Sequence, residues 1–575
     1  MKKWIKRKPK YEINKGKDLL SQLANIRGIP VKQVDDFLMP DEGVLKPTRT
    51  MKNALETAER IKYAIENDQN IVVSMDNDAD GVTSTAIMIR YLKERMDKEI
   101  PYIFAERDWG HGIKEQLMTK TESVKNEERN ENAERNRELI RNADLLIIVD
   151  SSSNDVETCK KIIESYGTDI IILDHHEITK RSETMADVGV MLVNPQQEGC
   201  EYENKGLSGA GVVYKMVELV EELFDDGLVD TEKFLDLTAV GLVGDMMPMN
   251  IPENRYMVSQ GLLNIHNMGL ERIIKSGNNS KTDGLTSDII GFTVAPLING
   301  TARMGNIEDA ILLLLSDEDK EVKRIRLRMH KANEARKLLQ REIVEKVSQD
   351  IDPSMKMIFV VTDESNRGMN GLVAQSLVEK YKRPVFVGRK KDDMIMGSAR
   401  SYNNIQLKTF FGESGLVELA EGHEGALGLN FKAENLESIM NYVEINMSTV
   451  KQREEVSMYD IHLETSELED AIDLIESFNH ITGTDCKKVI VRIDDLMVEE
   501  RNVIGSLNNT VKIKTMDNVD ILKFRVNEEY ADEIGVMDSI SIVGELKWNI
   551  WTQFKPVYTV HKTMQVLIDD YRMEE

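Results

Sequence analysis

From about residue 51 onward, short apolar runs alternate with amphipathic stretches. MKNALETAERIKYAIEND (51–68) places apolar residues at helical spacing. IVVSM (71–75) is a continuous apolar run too short for a helix, and TSTAIMIRYLKERM (83–96) returns to the helical period. ADLLIIVD (143–150) and DIIILDHH (169–176) repeat the strand signal. Strands alternating with helices predict βαβ units around a mostly parallel sheet, an α/β fold. Between two of these strands, residues 114–143 are densely charged and nearly free of large apolar side chains. Such a run predicts a solvated helical insertion, with a mobile lid as the rival reading.

The pattern changes twice further along. Residues 306–350 read as a long helix with a basic stretch, KRIRLRMHKANEARKLLQREIVEK. A second α/β segment follows in MKMIFVV, GLVAQSLVEKYKRP, VFVGRK and MIMGSARS. From about residue 450, KKVIVRI, TVKIKTM, VDILKFRV, SISIVGEL and FKPVYTVH are short strand-like runs at regular spacing, which predict a small antiparallel barrel or sandwich. The expected organisation is an N-terminal basic segment (1–50), a first α/β domain (51–305), a connecting helix (306–350), a second α/β domain (351–449) and a strand-rich domain (450–575).

Composition narrows the class. Of 575 residues, 41% are hydrophobic, 30% are charged and 12 are proline, which excludes a disordered or fibrous chain. No apolar run approaches the ~20 residues that cross a bilayer. The basic start lacks the apolar core of a secretory signal. The three cysteines, Cys159, Cys200 and Cys486, are too scattered for a disulfide scaffold or a zinc module, so a reducing cytoplasm and no membrane are expected. The net charge of −26 argues against a protein that coats nucleic acid, yet leaves room for an acidic enzyme that meets phosphate through divalent metal.

The chemistry concentrates at strand ends. In IVVSMDNDADGVTSTA, Asp76, Asp78 and Asp80 follow an apolar strand and precede Gly81 and a helix, the end where open α/β sheets bind ligands. Three adjacent carboxylates repel one another unless a hard cation neutralises them. Asp-Asn-Asp-Ala-Asp-Gly also matches the first half of a calcium loop, but Ile87 stands where that loop needs Glu, and a strand rather than a helix leads into it. Asp150 ends the second strand. The third ends in Asp174, His175, His176 and Glu177, a mixed nitrogen and oxygen set suited to manganese, zinc or iron. A strand-end Asp alone is usually a cap, but consecutive parallel strands all ending in ligand-type side chains point to a metal site. LDLTAVGLVGDMMPM adds Asp245, with Asp236 as a cap or a further ligand.

Together, DNDADG, VDSSS, LDHHE and VGDMMP resemble, in this order, the phosphoesterase motifs of the DHH superfamily. RDWGHGI, LSGAGVVYK, NRYMVSQGL and APLINGTARMG extend the likeness to the RecJ exonucleases. MNGLVAQSLVEKYKRP, GSARS and EGHEGALG resemble the accessory DHHA1 domain, and VDILKFRV with VGELKWNIW resembles the RecJ OB-fold. The resemblance implies a DHH parallel-sheet domain and a DHHA1 domain joined by a long helix, with a C-terminal OB-like barrel. It implies a 5′-to-3′ exonuclease acting on single-stranded DNA in recombination, repair or replication. Two divalent cations, manganese preferred and magnesium as the alternative, would be held by Asp78, Asp80, Asp150, His175 and Asp245, with Asp150 bridging. Asp76 would supply a ligand where many members carry a histidine and this chain has Ser74. His176 would face the scissile phosphate, and Asp174 would fix the imidazoles. Trp109, His111, Arg303, Ser398, Arg400 and His423 would touch the substrate, DNA with a 5′ end; a single-strand-binding protein is a candidate partner.

Two further departures stand out: Ser152 replaces a glycine usual in RecJ proteins, and Glu421 breaks the paired glycines before His423. Trp548, Trp551, Phe554 and Tyr558 suit a barrel core as well as base stacking. Two rival functions share the motifs, a phosphodiesterase of oligoribonucleotides or cyclic dinucleotides and a non-catalytic DHH scaffold.

Overall fold

The computed structural model describes residues 2–9, 13–104, 112–114, 127–179, 183–276, 284–403, 405–447, 456–505, 508–553 and 559–574. Trp109, His111, Phe554 and Tyr558 lie outside them, as do residues 115–126 of the charged stretch, whose later part forms the helix Glu127–Arg141.

The first apolar runs form a parallel five-stranded sheet. Its spatial order is Tyr102–Phe104, Ile71–Met75, Leu145–Val149, Asp169–Leu173 and Met191–Val193. Side chains alternate between two buried faces. Val73, Ile147 and Ile171 enter the larger core with the Ala79–Met96, Gly209–Phe224 and Leu235–Gly244 helices, whereas Val72, Ile148 and Ile172 enter a smaller core with the Val156–Tyr166 helix. Burial on both faces is why these strands are continuous rather than alternating apolar runs. The second strand in the chain lies outside the first, and the third lies on the first strand's other side. The chain therefore reverses direction across the sheet between Ile71–Met75 and Leu145–Val149, the crevice where such sheets bind ligands.

Beyond this sheet, the expected single helix over 306–350 is two. Ile307–Leu315, with its run ILLLL, is buried in the first core. The long helix begins only at Asp319, after the polar break Ser316-Asp317-Glu318, and runs to Val347. It leads to a second five-stranded sheet ordered Leu419–His423, Ala426–Lys432, Met394–Arg400, Val385–Lys391 and Ile358–Val361. The Arg367–Tyr381 helix covers one face of this sheet.

Near the C-terminus, Val491–Ile504, Thr510–Thr515, Val519–Phe524, Thr559–Met573 and Ser539–Gln553 pair in that order, and the last returns to the first. This closed circuit with one parallel pairing is an OB-like barrel. The N-terminal segment is part of the same body. Lys3–Lys6 pairs with Val456–Tyr459, Leu23 and Ala24 enter the barrel core, and Arg7 meets Asp460 at 2.6 Å. Part of the basic start is thus committed to intramolecular pairs. No helix among the described residues is long and apolar enough to cross a membrane.

Candidate metal centre and substrate face

The strand Ile71–Met75 delivers Asp76 to the sheet crest, and the next turn starts the Ala79–Met96 helix. Asp78 caps that helix by accepting the Gly81 N–H at 3.0 Å. Asp80, in the first turn, is buried, yet both of its oxygens are occupied: Oδ2 accepts Gly209 N–H at 2.6 Å and Oδ1 accepts Ala210 N–H at 3.0 Å. These donors open the Gly209–Phe224 helix, where partial positive charge favours a carboxylate. Close approach demands glycine. A Cβ on Gly209 would lie 2.5 Å from Asp150 Oδ1, and one on Gly241 would lie 2.2 Å from Asp80 Oδ1.

Asp150 leaves its strand with φ +56°, followed by Ser152 at φ +76°. Left-handed backbone at non-glycine residues costs about 1–3 kcal/mol each and needs support from its surroundings. Ser152 has such support, because its Oγ accepts Ile113 N–H at 2.8 Å and so fixes the Gly112–Ile113 turn, whose Gly112 N–H reaches Asp76 Oδ1 at 3.4 Å. The serine that departs from the family pattern thus makes a contact glycine could not.

Asp174 is wholly buried and binds both histidines. Its Oδ1 accepts His175 N–H at 2.7 Å and lies 2.7 Å from His176 Nδ1, while Oδ2 accepts Ser153 N–H at 3.1 Å. Burial alone would raise its pKa, but the hydrogen bond to His176 and the imidazole charges hold the carboxyl well below the usual carboxylate range. Burial works against charge on His176 too, yet the Asp174 bond, with Asp245 and Asp76 nearby, leaves it pushed up to about 9. His176 is 48% exposed, with Nε2 unclaimed by Asp174. The deeper His175 is shifted the opposite way, since burial lowers its pKa and favours the neutral imidazole, the ligating form.

Around His175 Nε2 stand Asp150 Oδ1 at 3.2 Å, Asp245 Oδ2 at 3.5 Å and Asp80 Oδ2 at 3.7 Å. Despite these distances, neither Asp150 Oδ1 nor His175 Nε2, both buried, has a hydrogen-bond partner. Lone pairs converging without bonding one another are what a cation site requires. Burial, then Asp80, Asp78, Asp76 and Asp174, push the Asp150 carboxyl well above its ordinary range, the cost a cation would relieve. Three donor sets among the described residues have ligand atoms within 4.8 Å of one another: Asp80–His175–Asp245, Asp76–Asp78–Asp150 and Asp150–Asp174–His175–His176. The residues present therefore fit divalent cations. Asp236 is not among them. Its oxygens accept Leu237, His266 and Asn267 N–H groups at 2.6 to 2.8 Å, and burial pushes it up to about 6.

Beside the donors is a cleft of about 150 Å³ lined by Asp78, Ala79, Asp80, Gly244, Asp245, Asn299 and Arg303. Asn299, unnoticed in the sequence because it carries no charge, accepts Ala79 N–H at 2.9 Å and so fixes the start of the helix bearing Asp80. Arg303 donates to Gly368 O at 2.6 Å, bridging to the second sheet's covering helix. On that sheet, Ser398, Gly428 and Glu421 form one cross-strand row, and Arg400, Ala426 and His423 the next. Opposed residues share a face, and residues two apart do too. Ser398, Arg400, Glu421 and His423 therefore share one face, which meets the helix at Gly371, where an added Cβ would lie 2.5 Å from Arg400 Nη2. Burial lowers the Arg400 pKa. In the barrel, Trp548 donates to Asp473 at 2.6 Å, whereas Trp551, 46% exposed, stacks on His561 with centroids 4.0 Å apart.

Known proteins share this architecture. Residues 70–242 match the DHH family, N-terminal domain. A SPbeta prophage-derived protein of Bacillus subtilis, YorK, named for single-strand DNA-specific exonuclease activity, is 26% identical over 507 residues, covering 82% of this chain and 83% of that protein. The single-stranded-DNA-specific exonuclease RecJ of B. subtilis is 28% identical over 544 residues, 91% of this chain but 64% of that protein. RecJ of Thermus thermophilus, crystallised with Mn2+, superposes with a TM-score of 0.76 at 22% identity, covering 97% of this chain and 76% of that one. The segment matching the DHH family model carries the strand-end carboxylates Asp76, Asp78, Asp80 and Asp150 and the histidines His175 and His176. Over its length, from the N-terminal segment into the barrel, the chain is similar to RecJ proteins.

Proposed function

We propose that this chain is a metal-dependent exonuclease that enters single-stranded DNA at a 5′ end and hydrolyses phosphodiester bonds to mononucleotides. The observation that carries the reading is the convergence of Asp80, Asp150 and Asp245 oxygens within 3.7 Å of His175 Nε2. Asp80, His175 and Asp245 would hold one divalent cation and Asp76 with Asp78 another, with Asp150 between them. Manganese suits the mixed nitrogen and oxygen donors, and magnesium is the alternative. When bound, a cation pair supplies Lewis-acid polarisation of the phosphate and activation of water for in-line attack.

The chain's own groups do the rest. Gly209 and Ala210 N–H groups lock Asp80 in one orientation, and Asp174 locks the His176 imidazole and accepts the His175 backbone N–H. His176, with Nδ1 committed to Asp174, holds a proton at Nε2 for the phosphate or the departing oxygen. Arg303 and Arg400, with Ser398 and His423, would bind backbone phosphates; a guanidinium fork meets phosphate oxygens bidentately. The closed barrel favours a long single strand over a cyclic dinucleotide, and the intact donor set favours catalysis over a scaffold role.

The test is a substrate panel with manganese: 5′-labelled single-stranded DNA, its duplex, the matching RNA and a cyclic dinucleotide. Labelled mononucleotide released first and only from single-stranded DNA is expected. Cleavage confined to RNA or the cyclic dinucleotide would replace this reading with the phosphodiesterase one. No cleavage of any substrate would leave the scaffold.

A further inference from the structure

The loop after Asp245 is not held by its own domain alone. Pro248 forms a parallel bridge with Thr484, and Met249 N–H donates to Thr484 O at 2.9 Å. Thr484 belongs to the 480–488 segment that leads into the first barrel strand. The same segment is stitched to Ser287: Ser287 N–H donates to His480 O at 3.1 Å, and Thr482 N–H donates to Ser287 Oγ at 2.9 Å. Lys488 adds ion pairs to Asp288 at 2.5 Å and Glu545 at 2.9 Å.

At the centre of this seam is Arg255, on the Pro252–Leu263 helix and wholly buried. Its guanidinium donates to Phe37 O at 2.8 Å, Ile481 O at 3.0 Å and Met249 O at 3.2 Å, and it lies 3.7 Å from the Phe37 ring centroid. No carboxylate among the described residues pairs with it, its Nη1 also reaches Cys486 Sγ at 3.5 Å, and burial pulls its pKa down to about 10. A buried charge without a counter-ion is poor stabilisation compared with an apolar side chain, so what this arginine contributes is its fork, which joins three chain segments at fixed angles. Its neighbour Asn254 continues the arrangement, donating to Pro248 O at 3.0 Å and to Gly206 O at 2.7 Å, just before the helix whose first residues, Gly209 and Ala210, orient Asp80.

We propose that Arg255 is a positioning residue for the metal centre. It ties the loop after Asp245 to the barrel's 480–488 segment, so that cation affinity at Asp80, His175 and Asp245 depends on a docked barrel. This rests on the metal reading above and adds a dependence which that reading does not require.

Direct Mn2+ binding to the full chain without DNA, read from the electron paramagnetic resonance of free Mn2+, tests it. Wild type should bind, and Asp245→Asn should lose affinity. Arg255→Met should bind about tenfold more weakly, the range for groups that orient metal ligands. Arg255→Lys should recover part of that loss, and Ser287→Ala, which loosens the seam without touching Arg255, should shift affinity in the same direction by a smaller factor. Amide exchange over 245–249 should quicken in Arg255→Met while 145–149 stays protected. If Arg255→Met fails to fold, Arg255→Lys and Ser287→Ala carry the test. Unchanged Mn2+ affinity in folded variants would overturn the proposal. A wild-type chain that binds no Mn2+ would instead overturn the metal reading itself.

Discussion

The crest of the parallel sheet and the face bearing Arg400 are proposed to meet the same substrate, yet they are held in opposite ways. At the crest, Asp80, Asp150, Asp174 and His175 are buried, and backbone N–H groups orient Asp80 and Asp174. On the second sheet, Ser398 and Arg400 are partly exposed and His423 is exposed; Arg400 makes a hydrogen bond to its neighbour's carbonyl, Ala399 O, at 2.9 Å. The difference follows from what each must bind. Like-charged carboxylates hold together only in a rigid cage that a cation completes, whereas groups that grip successive phosphates of a moving strand need freedom to let go. Damage at the crest should therefore strike turnover, and damage on the sheet face should strike binding.

The largest effect is expected from Asp150→Ala. Hydrolysis should fall by well over the ~100-fold upper range for residues that merely support a metal ligand, while circular dichroism shows a folded chain. Full activity in that variant would remove its bridging role. Asp174→Asn comes next, because it keeps the shape but cannot accept every N–H that the carboxylate does. A loss of about 10–100-fold in kcat is expected. Nuclear magnetic resonance of His176 should show its pKa falling from the raised value, since the charge that favours imidazolium is gone. A titration identical to wild type would contradict the assignment of Asp174.

Arg400→Ala should act on the other side of the comparison. Losing a charge-assisted phosphate contact of about 1.5–3 kcal/mol should raise KM by roughly tenfold or more and leave kcat on saturating DNA nearly intact. A kcat/KM equal to wild type would withdraw Arg400 from the substrate face. Trp551→Ala should be mildest, about 1 kcal/mol in affinity for long single strands and nothing for short ones, the low end for one base on one aromatic face. Binding measured against oligonucleotide length separates that outcome from a purely structural role.

Much of this organisation was legible in the chain because local signals sufficed. IVVSM, ADLLIIVD and DIIILDHH announced buried strands, and ligand-type residues at their ends announced a site, since a parallel sheet gathers its strand ends on one edge. What escaped depended on partners far away in sequence. Nothing in KWIK marks a strand whose mate is Val456–Tyr459, and nothing in ILLLL says that it packs separately from the long basic helix that follows. Ser152 stands where a glycine is expected, and its use lies in a left-handed backbone and a contact with Ile113 that the sequence does not display. Asn299 and Arg255 act through carbonyl and amide contacts, which carry no charge pattern to read.

The central claim is that strand-end carboxylates and His175 hold a pair of cations. Anomalous scattering from crystals soaked in Mn2+ tests it most directly. Two peaks are expected ~3.5–4 Å apart, the spacing of two-metal sites, one against Asp80, His175 and Asp245 and the other against Asp76 and Asp78, with Asp150 touching both. Crystals with no peak at these residues, or with manganese bound only elsewhere, would contradict the account.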